Sequence, residues 1–228
     1  MIFIRDTLND WTLQYPNRLR IERVAGPDAA PVKSDAALAD DAAAWLKLEA
    51  PYWLQFFQQV NYNLPVNTVP PLQARAGGWG FLTTGWFQLQ DDEALVVTLD
   101  PISAAYLAFQ VSDVWGITPD YVSHTSGLNK AQSKANADGT YTYVISPRDP
   151  GVWNWIDTVG VHTGLFTVRW QQLADASPAI ARAVRGGKVV KIADLKNALP
   201  AGTVRVDAAE RKKQQDDHEA SFALRFIN

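Results

Sequence analysis

The stretch TYTYVISPRDPGVWNWIDTVGVHTGLFTVRWQQ (residues 140–172) contains two β-type segments separated by a polar, tryptophan-containing connection. The first segment is Tyr141–Ser146, and in the second, Leu165–Trp170, apolar and polar residues alternate. Alternation with a period of two is typical of strands that bury one face. The stretch therefore predicts two core strands joined by a corner.

Two segments nearer the N-terminus repeat this pattern. In EALVVTLD (residues 93–100) every second residue from Leu95 to Leu99 is apolar, and in YLAFQVSDVW (residues 106–115) one face runs from Leu107 through Asp113 to Trp115. The acidic QDDE at residues 90–93 predicts a hairpin turn after GWFQL. Strands this close together, without helices between them, favour antiparallel pairing.

The predicted fold is therefore mainly β with flanking α-helices, around an antiparallel β-sandwich or jelly-roll-like core. The core is assigned to residues 71–175. Residues 1–70 are predicted to form an N-terminal extension and a pair of helices, because Ser34 can cap the first helix and Pro51 can begin the second. Residues 176–228 are predicted to form a helical tail packed on the core, with a capping box from Asp207 to Glu210.

Composition excludes several classes of protein. The 228 residues are 47% hydrophobic, carry a formal charge of −3 and include no cysteine. No basic block suggests nucleic acid as a partner, and no apolar run is long enough to span a membrane. Disulfides, thiolate chemistry and iron–sulfur clusters are excluded. We expect a soluble, cytoplasmic protein without a cofactor.

The connection DPGVWNWIDTVG (residues 149–160) is the first candidate site. Asp149 and Asp157 are candidate catalytic carboxylates because they lie among aromatic residues. The alternative is a structural corner, in which carboxylates accept hydrogen bonds from main-chain amides. We favour the corner, with at least one of its two tryptophans buried. If the connection is a site, its ligand-binding residues are Arg148, Trp153, Asn154 and Trp155.

Asp113 is a third candidate catalytic residue, since strand alternation would place its carboxylate on an apolar face beside Trp115, a candidate ligand-binding residue. The alternative is that the strand ends before Asp113 and the carboxylate meets water. His124 and His162 are candidate ligand-binding residues. Their spacing matches no metal motif, so no metal site is predicted and ordinary surface histidines are favoured.

The chain contains nine tryptophans, which suit either a packed core or a pocket for a flat apolar ligand or a sugar. Most of them are expected in the core, with two or three in a pocket wall. Those in the β region are Trp79, Trp86, Trp115, Trp153, Trp155 and Trp170.

The segments GWFQLQDDEALVV, TSGLN, ADGTYTYVISPRDPGVWNWIDT and GLFTVRWQ together resemble the bacterial domain-of-unknown-function 1214 family over about residues 79–172. The most specific part is the Asp-Pro-Gly turn followed by Asn154, Trp155 and Asp157. The resemblance implies a jelly-roll-like β domain and a C-terminal or shortened member of the family. It implies no activity and no residue roles.

The leading functional hypothesis is that the protein binds or transforms a small apolar or ring-shaped compound in a tryptophan-lined pocket near the turn at residues 149–157. If it is an enzyme, we expect acid–base chemistry by the three aspartates, as in a lyase, isomerase or hydrolase. The alternative is an interaction or structural module. Its helices at residues 35–60 and 208–225 would then dock onto a partner chain or onto a missing N-terminal domain, and a homo-oligomer is a further alternative.

Overall fold

A computed structural model describes residues 4, 6–26, 31–75, 80–173 and 180–226 of the chain. The described α-helices are α1 Asp35–Phe57 and α2 Ala208–Ala223. The described strands are β1 Gln73–Ala74, β2 Phe81–Gln88, β3 Glu93–Leu99, β4 Ala104–Ser112, β5 Gly127–Asn129, β6 Tyr141–Ser146, β7 Trp155–Asp157, β8 Thr163–Leu173 and β9 Val184–Lys191.

The strands form two sheets, which confirms the predicted β-sandwich core with flanking helices. One sheet has five strands in the order β1-β2-β8-β4-β5, and the other has four in the order β7-β6-β3-β9. Strand pairing is antiparallel with one exception among the described strands, because β6 and β7 pair in parallel. The expectation of purely antiparallel pairing is corrected at this point. The connection at residues 147–154 reverses direction twice and returns the chain alongside β6.

The main core lies between the two sheets and is built from the alternating residues of their strands. Phe109 of β4 and Tyr143 of β6 come from opposite sheets, and their ring centroids are 5.2 Å apart. Burying large side chains in this way is the main source of stability in such a domain. The largest fully buried aromatic side chains are Trp170, Tyr143, Phe87, Phe109 and Phe166.

A smaller core covers the outer face of the four-stranded sheet. Val96 and Val144 pack there with Trp155 and with Leu195. Leu195 belongs to the 3-10 helix Ile192–Asn197, at the place where the sequence predicts a short helix.

Two expectations about the strands are wrong. The QDDE segment does not form a hairpin, because β2 pairs in the five-stranded sheet and β3 in the four-stranded one. Leu89 enters the core there and its amide donates to His162 O, so the chain crosses between sheets. The tail after residue 176 is not purely helical either. β9 pairs along the whole of β3, and Gly186 and Gly187 hide its strand pattern.

The N-terminal helical pair is one continuous helix. Ser34 caps α1, as predicted, by accepting from the Ala37 amide. Pro51 lies inside the helix and leaves the Lys47 carbonyl without its usual donor. No residue of α1 is buried, so water can satisfy that carbonyl. A π-helical turn, Gln58–Tyr62, follows directly.

The C-terminal helix α2 begins as the sequence predicts. Asp207 accepts from the Glu210 amide at 2.8 Å, and the Asp207 amide donates to Glu210 at 2.9 Å, which completes the capping box. Within the described parts of the chain, no helix has both the length and the hydropathy needed to cross a bilayer.

Candidate functional site

The connection from β6 to β7 begins with a tight turn at Asp149-Pro150-Gly151. Asp149 Oδ1 accepts from the Gly151 amide at 2.8 Å. Gly151 has φ +68°, a region that glycine adopts without strain. Val152 then forms an antiparallel bridge with Arg205, which precedes α2. The turn therefore has the backbone geometry of the predicted corner.

Asn154 and Trp155 are structural in this connection. Asn154 Oδ1 accepts from the Lys134 amide at 2.8 Å, and its Nδ2 donates to the carbonyls of Lys134 and Thr142. Trp155 is buried and donates to Ser146 O at 3.1 Å. These bonds hold both side chains in the fold, and neither side chain lines the larger cavity described below.

Asp149 also holds helix α2 against the turn. Arg211 donates from Nε and one terminal nitrogen to the two oxygens of Asp149, at 2.8 and 3.0 Å. It also donates to Val152 O and to Gln214 Oε1, and its guanidinium lies 5.0 Å from the centroid of the Trp155 ring. The Arg211 side chain is only 6% exposed. This carboxylate is therefore the counter-ion of a buried arginine.

Two of the predicted site residues come together, His124 and Asp157. His124 Nδ1 lies 2.7 Å from Asp157 Oδ2, and Asp157 Oδ1 accepts from the Val159 amide at 2.7 Å. The Asp157 side chain is 5% exposed and the His124 side chain is 36% exposed. A buried carboxylate that orients an accessible imidazole is an arrangement that general bases use. The sequence predicts that Asp157 accepts hydrogen bonds mainly from main-chain amides. One of its donors is such an amide, that of Val159, and the other is the His124 side chain, so the prediction is met only in part.

Asp113 follows the end of β4, so the alternative interpretation of this residue is correct. Asp113 Oδ1 accepts from the amides of Trp115 and Ile117, each at 2.9 Å. These two bonds bend the chain away from the strand before Trp115 can reach the apolar face. Trp115 is 59% exposed. The placement of both residues on the buried face of the strand was therefore wrong.

Arg148 and His162 share a different carboxylate, that of Asp91. Arg148 forms an ion pair with Asp91, and His162 Nε2 lies 3.4 Å from the same side chain. His162 Nδ1 donates to Leu89 O at 3.0 Å. The two candidate histidines therefore lie beside different carboxylates. In the described part of the chain, no three histidine or acidic side chains are grouped as a metal would require.

A cavity lies beside this connection, between α2 and the outer face of the five-stranded sheet. Its volume is about 510 Å³, and residues 8–11 close one side. Strand alternation turns the side chains of Tyr106 and Gln110 outward because Leu107, Phe109 and Val111 point into the core. The lining residues that matter for its chemistry are Tyr106, Gln110, Asn129, Trp153, His218 and Arg225. We call this cavity the α2 cleft.

Polar side chains that line the α2 cleft are held by hydrogen bonds to one another and to main-chain carbonyls. His218 Nε2 lies 2.8 Å from Tyr121 O, and a carbonyl can only accept, so Nε2 carries the proton. Gln132 donates to His218 Nδ1 at 3.2 Å. Burial lowers the pKa of His218, which agrees with a neutral ring. Asn129 donates to Asn9 O at 2.9 Å and joins the N-terminal segment to the sheet.

Of the ligand-binding residues expected from the sequence, Trp153 lines the α2 cleft. Its Nε1 donates to Gln132 O at 2.8 Å, and Lys134 Nζ lies 4.7 Å from its ring centroid. The others have the positions described above, away from the lining. Trp170 is buried in the core, Trp86 is partly buried, and Trp79 lies outside the described residues.

Sequence reasoning missed Arg211, Arg225, Tyr106 and Gln110. The two arginines lie in a charged helix and its end, where most basic side chains are solvated. The outward positions 106, 108 and 110 of β4 were a usable signal, because strand alternation predicts one outer face that a helix could cover.

No family model matches the chain, and no curated protein matches it. Among solved structures, an uncharacterised protein from Burkholderia cenocepacia is similar, with 30% sequence identity and a TM-score of 0.50 over 58% of this chain and 37% of that one. A protein from Vibrio parahaemolyticus is similar at 16% identity and a TM-score of 0.36, over 50% of this chain and 33% of that one. The chain thus spans only about a third of the length of each of these structures.

The fold and the cavity define a two-sheet β-sandwich protein with a helix-covered cleft on its five-stranded sheet. The Burkholderia likeness supports a shared fold over the matched part and adds no activity. Membership of the domain-of-unknown-function 1214 family stays a prediction from the sequence.

Proposed function

We propose that the protein binds a small molecule in the α2 cleft. The observation that carries this proposal is the cleft itself, whose volume of about 510 Å³ is within the usual range for ligand pockets of ~300–1,000 Å³. Aromatic rings and hydrogen-bonding side chains line the same space, as expected for a site that takes a partly apolar ligand. The turn at residues 149–157 borders the cleft: Trp153 forms part of the lining, and the Asp149–Arg211 pair holds α2 in place.

Binding fits the geometry better than catalysis does. The His124–Asp157 pair, which could move a proton, does not line the α2 cleft. His218 does line the cleft, but both of its ring nitrogens are engaged. No hydrogen bond joins any two of Asp113, Asp149 and Asp157, whose partners lie in different parts of the described fold.

A filling substitution tests the proposal. Ala108 lies on the outer face of β4 and lines the cleft, so Ala108→Phe should occupy part of the cavity. Ala105→Phe is the matched control, because Ala105 is an exposed residue of the same strand outside the lining. A fragment collection would be screened by the change in melting temperature of the parent protein. Fragments that stabilise the parent should fail on Ala108→Phe and still act on Ala105→Phe; equal action on both variants would refute the site.

A second function is favoured by the surface of α1. Large apolar side chains along this helix are exposed, including Trp45, Leu48 and Trp53. The exposed surface continues onto Trp115 and Ile117, in the loop that Asp113 holds and that touches Phe57. Contiguous apolar surface of this kind marks interaction sites. We call it the α1 surface.

We propose a second copy of this chain as the partner of the α1 surface. The first turns of α1 are rich in alanine, Trp45 lies near the middle, and the other aromatic residues lie in the second half. In a two-fold dimer with antiparallel α1 helices, the alanine-rich part of each helix faces the aromatic part of the other. Small side chains then lie opposite large ones, which allows close packing.

Light scattering after size-exclusion chromatography tests this pairing. The parent protein should be a dimer, and Trp45→Glu should be a folded monomer with the far-UV circular dichroism of the parent, because α1 contributes no buried residue to the fold. Val204→Glu, at an exposed apolar residue outside the α1 surface, should remain a dimer. A monomeric parent protein would refute the proposal.

A further inference from the structure

Arg225 is held in the α2 cleft by aromatic rings. Its guanidinium carbon lies 4.6 Å from the ring centroid of Phe222, 5.4 Å from that of Trp11 and 6.0 Å from that of Tyr121. Cations are attracted to ring faces, and a guanidinium that packs on rings keeps its N–H groups available to an acceptor. Arg225 is thus positioned by contacts that do not use its hydrogen-bond donors.

Arg225 has no counter-ion among the described residues that line the α2 cleft. Among the described residues, no carboxylate forms an ion pair with it. The two lining carboxylates have partners elsewhere: Asp10 accepts from the amide and hydroxyl of Thr12 at 2.8 and 2.5 Å, and Asp217 pairs with Lys213 at 2.6 Å. Arg225 is therefore a lining cation that no described carboxylate pairs with, although Asp10 stays negatively charged because Thr12 supplies only neutral donors.

Two further donors lie on the outer face of β4, in the lining of the same cleft. Burial raises the pKa of Tyr106 against the opposing charges of Arg169 and Arg225, so its hydroxyl is protonated at neutral pH. Arg169 donates to Gln110 Oε1 at 3.0 Å, which leaves the amide nitrogen of Gln110 as the group free to meet a ligand. Neither the Tyr106 hydroxyl nor the Gln110 amide nitrogen has a hydrogen-bond acceptor among the described residues.

From these contacts we infer that the α2 cleft selects a small organic acid, with its carboxylate on Arg225 and its apolar or ring-shaped part against the aromatic lining. Guanidinium groups bind planar carboxylates through paired hydrogen bonds. The inference rests on the proposed binding function and names the ligand class of that site.

Matched pairs of acids and neutral amides test the inference. Indole-3-acetate with indole-3-acetamide, and 4-phenylbutyrate with 4-phenylbutyramide, differ in charge and hardly in shape. Each compound would be titrated calorimetrically into the intact chain at neutral pH. The acids should bind at least about tenfold more tightly than their amides, a difference of ~1.4 kcal/mol.

Two variants assign the preference to its residue. Arg225→Met keeps an apolar side chain among the rings and should abolish the preference for the acid, while the affinity for the amide stays within about threefold, since hydrophobic contacts are largely kept. Lys134→Met is the matched control because Lys134 is the other lining cation and lies over Trp153. It should keep the preference. Thermal melts of both variants, and amide binding by Arg225→Met, show whether the cleft is intact.

The possible outcomes separate the two proposals. If acids and amides bind the parent protein equally, or if Arg225→Met retains the preference, the carboxylate inference is refuted and the binding function stands. If Lys134→Met alone loses the preference, Arg225 is not the recognising residue and the inference is again refuted. If neither the acids nor the amides bind, both the inference and the proposed function are refuted.

Discussion

Replacing Asp149 with alanine should destabilise the protein because it leaves a buried guanidinium without its counter-ion. Arg211 makes two of its hydrogen bonds to Asp149 and would keep only the neutral acceptors Val152 O and Gln214 Oε1. Breaking a buried ion pair costs about 3–5 kcal/mol. The Asp149 side chain is 37% exposed, so water can enter the vacated space and we expect a loss of about 2–3 kcal/mol.

Urea unfolding followed by tryptophan fluorescence gives the free energy of unfolding of parent and variant. A thermal melt should show a fall of about 4–12 °C, since each kcal/mol corresponds to ~2–4 °C in a chain of this size. Asp216→Ala is the matched control. It breaks an ion pair on the same helix, with Lys212 at 2.5 Å, but both side chains are more than half exposed. We expect a loss below about 0.5 kcal/mol there.

The free energies of unfolding of the two alanine variants show whether burial of Arg211 sets the cost of removing Asp149. If Asp149→Ala and Asp216→Ala lower the free energy of unfolding equally, burial of Arg211 does not set the cost. The double variant Asp149→Ala with Arg211→Met gives a second check. It removes the stranded charge and should be less destabilised than the sum of its single variants. Strict additivity would show that Asp149 and Arg211 do not stabilise each other.

Two other predictions concern stability. Asp157→Ala should lower the free energy of unfolding by about 1–3 kcal/mol, because the Val159 amide and the His124 Nδ1 group lose their acceptor. Asp157→Asn keeps one oxygen and should therefore cost less. A denaturant titration in which Asp157→Ala is as stable as the parent would contradict this prediction. Burial holds the pKa of His218 below its ordinary 6.5, so its contribution is fully present above that pH and is lost as the pH falls. The parent protein should therefore lose more stability than His218→Gln between about pH 7 and pH 5; parallel pH profiles would show that His218 does not titrate during unfolding.

The sequence by itself indicated strands β2, β3, β4, β6 and β8 and many of their buried residues. Alternation in β4 and β8 predicted inward positions such as Phe109 and Val168, and these are buried. The Asp207 capping box and the Ser34 cap were also predicted correctly from the sequence. These features are local: each depends on residues within a few positions of one another, so pattern and spacing are enough to find them.

Features that depend on two distant parts of the chain were decided only by the tertiary structure. QDDE connects two sheets instead of turning a hairpin, and β9 completes a sheet beside β3, 85 or more residues earlier in the chain. The pairing of His124 with Asp157 spans 33 positions and that of Asp149 with Arg211 spans 62. The α2 cleft likewise needs β4, α2 and residues 8–11 together. No local pattern encodes such meetings, because they follow from how the two sheets and the helix pack in space.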